Sequence, residues 1–121
     1  MNKDFFKKNF FPSGWLATWR PYFFIFLVGF LLYGQTLFFD FSYFDDNALI
    51  LDKIPVLENP KNIGKIFSTD VFFSGDKVYY RPLLNLSFML DAQAGGAAPF
   101  FYHLSNIWFH ILAVGLAFYL L

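Results

Sequence analysis

YFFIFLVGFLLYGQTLFF, residues 22–39, is an uninterrupted run without a charged side chain, entered through Pro21 and closed by Asp40. At about 1.5 Å of rise per residue it spans about 27 Å as a helix, close to the hydrocarbon thickness of a bilayer. A cleaved signal peptide has the same basic-then-apolar order, but it needs small residues at its cleavage site. Leu37-Phe38-Phe39 stands where they would be. The run therefore reads as an uncleaved membrane helix over 21–39.

Composition agrees: 57% of the 121 residues are hydrophobic and 25% aromatic, with Phe alone contributing 20, which is a membrane rather than a soluble balance. Net charge is zero, yet Lys3, Lys7, Lys8 and Arg20 all precede the run, whereas acidic residues apart from Asp4 begin at Asp40. The positive cluster holds the N-terminal side in the cytoplasm, so the residues after the run emerge on the periplasmic, extracytoplasmic or lumenal side. Basic groups interleaved with Phe5, Phe6, Phe10, Phe11, Trp15 and Trp19 suit a membrane interface over 1–20, with a break at Pro12-Ser13-Gly14. No basic face remains beyond that segment, which argues against a nucleic-acid partner. The absence of cysteine excludes disulfides and thiolate chemistry.

Residues 40–99 form a loop too long to be a plain connection. Asn59-Pro60 offers an N-cap followed by proline, with Ile63, Ile66 and Phe67 at helical spacing. Arg81-Pro82 opens a second short helix through Leu83, Leu84, Leu86, Phe88 and Leu90, ended by the Ala/Gly stretch at 94–99. Ser74-Gly75-Asp76 marks a turn between them. Neither helix is long enough to hold alone in water, so each is expected to lie on the membrane surface or against neighbouring helices. Residues 100–121 are apolar again and give a second membrane helix. No Lys or Arg stop follows it, which leads to the expectation that the sequence is the N-terminal part of a longer chain.

Three sets of side chains carry chemical potential. Asp45 and Asp46 sit just past the first membrane run, near the far-side head groups; two adjacent carboxylates serve as acid or base, or simply as the cap and first-turn acids of a helix over Ala48-Leu49-Ile50-Leu51. Tyr79-Tyr80-Arg81-Pro82 places a planar guanidinium directly before a helix N-terminus, where both favour an anion such as phosphate; an Arg reaching for lipid head groups would look the same. His103, Asn106 and His110, at i, i+3 and i+7, fall on one stripe of the second membrane helix and either line a polar cavity or bond to other helices. Two imidazoles without a cysteine do not make a tetrahedral zinc set.

In order, the chain shows F-x-x-x-D-D (Phe41, Asp45, Asp46), P-x-x-x-N-P (55–60), I-F-x-x-D (66–70), Y-Y-R-P-L (79–83), L-D (90–91) and H-x-x-N-x-x-x-H (103–110). This order resembles the start of polytopic C-type-fold glycosyltransferases, in particular the transmembrane, tetratricopeptide-repeat-containing protein O-mannosyltransferases and their bacterial relatives. The resemblance covers roughly residues 33–110. It implies catalytic roles for Asp45 and Asp46 on the first external loop and a polyprenyl-phosphate-linked sugar as donor. The acceptor expected with it is a protein or glycan hydroxyl, and beside it stand the readings from the residues' own chemistry: a donor-phosphate contact at Arg81 and Tyr80, and a cavity lined by His103, Asn106 and His110. Hard carboxylate oxygens would also suit Mg or Mn at Asp45 and Asp46, and metal use stays open.

The expected architecture is thus an all-α membrane protein: an interfacial segment over 1–20, membrane helices over 21–39 and 100–121, and an external loop over 40–99 with short interfacial helices. The whole is the beginning of a multi-helix, multi-pass glycosyltransferase that is inactive as this stretch alone. The competing reading is a small two-helix membrane anchor whose loop binds a partner. A transporter fragment is a third, less suited to a site on a long external loop.

Overall fold

The computed structural model describes residues 18–75 and 78–120. The N-terminal lysines, the 1–17 part of the expected interfacial segment and Asp76 of the expected turn lie outside the described residues. Those described are helical or irregular, with no strand among them. They divide into two compact units, one comprising residues 18–34 with 107–120, the other the described residues of Gln35–Asn106.

In the first unit, α1 (Arg20–Tyr33) begins with Pro21 in its first turn, where a missing N–H costs nothing. Its contacts with the C-terminal part of α6 (Pro99–Tyr119) run antiparallel. Tyr22 meets Phe118 edge-on at 5.5 Å, Gly29 faces Ile111, and Tyr33 lies 4.8 Å from the His110 ring. Gly29 lets the two helices approach closely there: a Cβ would stand 3.0 Å from Ile111 Cγ1, so that side chain would have to shift by a few tenths of an ångström. The remaining surface stays apolar and exposed, as at Leu31, Leu32, Leu116 and Tyr119. A helix apolar on every side belongs in a large core or in lipid. Arg20–Phe38 and Pro99–Tyr119 are both long and apolar enough to cross a membrane. The first does not stay α-helical throughout: after Tyr33 it tightens into a 3₁₀ turn over Gly34–Phe38.

The second unit holds a conventional core. Phe41, Ile50, Leu57, Ile66, Phe88, Met89, Ala92 and Tyr102 are buried together. They come from α2 (Asp45–Leu49) and its flanks, α3 (Ile54–Leu57), α4 (Ile63–Ser68), α5 (Pro82–Gly95) and the start of α6. Short helices α3 and α4 pack on α5, and Leu57 and Ile66 are fully buried. Each such side chain contributes about 1.5–3 kcal/mol by leaving water, which is what lets four- and six-residue helices persist. Asn59 does cap, its Oδ1 accepting from the Lys61 N–H at 3.1 Å, but what it opens is a 3₁₀ turn over Pro60–Asn62, and the N-cap of α4 itself is Asn62. The apolar face of α4 is narrower than its spacing suggests, since Ile66 is buried while Ile63 and Phe67 remain about half exposed. Likewise on α5, Phe88 is buried but Leu83 and Leu90 point outward. The helix ends at Gly96, whose φ of +60° closes it with an N–H bond to the Ala92 carbonyl.

Candidate functional site

Asp45 and Asp46 both fall in the first turn of α2, and the N-cap is Phe44, not either aspartate. The capping reading of the pair is thus corrected: they are first-turn acids, placed where the helix dipole favours negative charge. Their surroundings differ. Asp46 is half-buried and its Oδ2 accepts the Ser42 N–H at 2.7 Å, folding the preceding turn back onto it. Asp45 is exposed, and no hydrogen bond from a described residue occupies its carboxylate. Phe41, just upstream, is buried against Tyr102 at 5.4 Å, so the loop carrying the pair is anchored to the core. Phe44 and Tyr43 beside it are exposed. Asp45 can therefore meet a substrate hydroxyl, while Asp46 is tied to the backbone.

Arg81 immediately precedes α5 and is exposed; its carbonyl accepts the Asn85 N–H at 3.2 Å. Pro82 has no N–H to offer, so the first amides facing outward belong to Leu83 and Leu84. Tyr80 does not share the Arg81 surroundings through its hydroxyl, which donates to the Phe67 carbonyl at 3.0 Å and ties the segment to α4. Among the described residues no ion pair joins Arg81 to Asp45 or Asp46.

His103 and Asn106 lie in the second unit and His110 in the first. His103 is half-buried, 6.5 Å from the Phe41 ring, and its Nε2 is enclosed without a hydrogen-bond partner. Asn106 and His110 are exposed, the latter against Tyr33. No group of three or more His, Asp or Glu among the described residues gathers as a metal set. The groove of about 390 Å³ in the first unit, between Tyr22, Ile25, Ile111 and Leu116, is apolar, with no acid or cation among the described residues that line it.

Three buried polar residues received no role from the sequence. Asp91 is 6% exposed and accepts from the Ser105 hydroxyl, which joins α5 to α6; burial pushes its carboxyl above the usual range, against the opposing effect of that hydrogen bond. Asp70 and Asn85 are also buried. The I-F-x-x-D and L-D pieces contained the two acids. The Ser74-Gly75 turn after Asp70 was the available signal that its side chain folds back on its own backbone.

No family model matches the chain. No solved structure matches it either. Among curated proteins it is similar to protein O-mannosyl-transferase tmtc2 of Xenopus laevis, 38% identical over 92 residues, and to TMTC2 of Homo sapiens, 36% identical over 92; each alignment covers 74% of this chain. Tmtc1 of Drosophila melanogaster is 35% identical over 94 residues, 75% of this chain. The chain spans 11% of the length of these relatives.

Proposed function

Because this chain is a relative of the TMTC protein O-mannosyl-transferases, we propose that it forms the first part of a C-type-fold membrane glycosyltransferase using a polyprenyl-phosphate-linked sugar. The observation that carries this reading is the exposed, unengaged Asp45 carboxylate beside the anchored Asp46, a few residues beyond Arg20–Phe38. Asp45 takes the proton from an acceptor hydroxyl on a protein or glycan. The freed oxygen attacks the anomeric carbon, the bond from that carbon to the phosphate oxygen breaks, and the phosphate leaves with the electron pair. General-base catalysis of this kind contributes about 10² to 10⁴ in rate. Asp46 holds the turn that presents its neighbour.

In the same reading Arg81 and the start of α5 receive the leaving phosphate, with Tyr80 setting the path of that segment. Asn106 and His110, both exposed, are free to meet polar parts of a longer polypeptide, whereas the Nε2 of His103 is enclosed within this chain. A divalent cation would fit the pair, since Mg is commonly held by one or two carboxylates together with substrate phosphate oxygens. The chain crosses the membrane at Arg20–Phe38 and Pro99–Tyr119, with its N-terminus in the cytoplasm and 40–98 outside. Transfer belongs to a polypeptide of the relatives' length, not to these residues alone.

The test is sugar transfer by the full-length protein carrying Asp45→Asn or Asp46→Asn. Asn keeps the size and one acceptor oxygen of Asp but not its basicity. Loss of transfer with unchanged membrane insertion is expected for Asp45→Asn, and a smaller loss for Asp46→Asn, whose Oδ can still accept from Ser42. Near wild-type transfer by both variants would remove the site from this loop and leave the two-helix anchor as the better reading.

A further inference from the structure

Asp70 and Asn85 are polar, come from different elements and are almost fully removed from solvent, at 2% and 0% exposure. Asp70 Oδ1 accepts the N–H groups of Phe72 at 2.9 Å and Ser74 at 3.0 Å, and its Oδ2 takes the Ser74 hydroxyl. One carboxylate thereby fixes the backbone on both sides of Phe73, which sits at φ +57°, a conformation that a side chain with a Cβ rarely adopts. The returning segment is tied at two points: Val71 N–H donates to the Tyr79 carbonyl at 2.9 Å, and the Tyr80 hydroxyl donates to Phe67. Asn85 closes the arrangement. Its Nδ2 donates to the Asp70 carbonyl at 3.4 Å, while its own N–H donates to the Arg81 carbonyl at 3.2 Å.

These bonds lie on both sides of one residue. Arg81 follows a segment secured to α4 and to the Asp70 turn, and precedes a helix whose first turn is held to the same turn by Asn85. A buried carboxylate spent wholly within the protein cannot act on a substrate, and an exposed guanidinium on a long flexible side chain gains specificity only from a backbone that does not move.

We propose that Asp70 and Asn85 are positioning residues for donor binding: a buried latch that fixes residues 70–75 and 78–81 against α5 and so sets where the Arg81 guanidinium meets phosphate. This rests on the reading of Arg81 as the phosphate contact. The latch needs an acceptor oxygen at position 70 but not a negative charge there, because both backbone amides converge on Oδ1.

The experiment compares Asp70→Ala, Asp70→Asn, Arg81→Ala and the double variant Asp70→Ala with Arg81→Ala in the full-length enzyme. Kinetics with a polyprenyl-phosphate-mannose donor are read together with backbone hydrogen exchange. Asp70→Ala should raise the donor KM about ten- to a hundredfold with kcat little changed. Asp70→Asn should restore most of the loss. The double variant should be no worse than Arg81→Ala, because the latch acts through Arg81. Exchange protection at Phe72 and Ser74 should vanish in Asp70→Ala and persist at Met89 and Ala92, which separates loop release from unfolding. Asp70→Ala with an unchanged donor KM, beside a raised KM in Arg81→Ala, would overturn the proposal, as would a kcat loss that Asn does not restore. A silent Arg81→Ala would instead sink the phosphate reading. The positioning role would fall with it, and the exchange data would then decide only whether the latch holds the loop.

Discussion

Ser105, on α6, donates its hydroxyl hydrogen to Oδ1 of Asp91, on α5, inside the core of the second unit. Burial raises the Asp91 carboxyl above its ordinary value of 3.8, and the Ser105 hydrogen bond opposes the shift without cancelling it. The folded protein therefore binds this proton more tightly than the unfolded chain. Its contribution to stability is full below pH 3.8 and is lost as pH rises through the raised value. Thermal melts of detergent-solubilised protein across the acid range should show this fall, and Asp91→Asn should flatten it. An identical pH dependence in wild type and variant would assign it to other groups.

Gly95 and Gly64 separate packing from backbone freedom. A Cβ on Gly95 would stand 2.0 Å from Phe101 Cδ2, whereas nothing lies within 4 Å of one on Gly64. Gly95→Ala should destabilise by about 1–3 kcal/mol through overpacking. Gly64→Ala, inside α4, should stabilise by about 0.4–1 kcal/mol. Melting temperatures moving in opposite directions would check both.

Topology can be read by thiol labelling, because the chain has no native cysteine. Val78, 72% exposed, is a better probe position than Ser74, whose hydroxyl serves Asp70. Val78→Cys should react with an impermeant reagent added from outside, and Ser13→Cys should not. The reverse pattern would invert the orientation.

Arg81→Lys keeps the charge but loses the planar fork of donors. Donor affinity should drop about tenfold, since a two-pronged phosphate contact is not reproduced by an ammonium. An unchanged donor KM would return Arg81 to contact with lipid head groups.

Both membrane-length helices were legible, because an uncharged run of that length has few alternatives, and so were the helix start at Arg81-Pro82 and the cap at Asn59, which rest on local backbone chemistry; that Asn59 opens a 3₁₀ turn ahead of α4 was not. Spacing could not show that Leu83 and Leu90 face outward while Asp91 turns inward. Apolar periodicity marks a face but not its neighbour, and Asp91 is accommodated only by Ser105, distant in sequence. The acidic pair was legible as a pair. Its division into an anchored Asp46 and an exposed Asp45 depends on the path of the turn at Ser42, which no pattern of residue types encodes. The placement of His103 and His110 in different units was equally hidden, since a helical stripe says nothing about where tertiary packing divides.

The 3₁₀ turn at Gly34–Phe38 changes the reach of the first membrane-length segment. A 3₁₀ residue advances about 2.0 Å against about 1.5 Å for an α-helical one. Fourteen α-helical residues followed by five 3₁₀ residues therefore extend about 31 Å, the same as the 21 residues of α6. Two membrane-length segments of unequal residue count thus reach the same length. A substitution that relaxed 34–38 into regular α-helix would shorten the first by about 2–3 Å and undo that match.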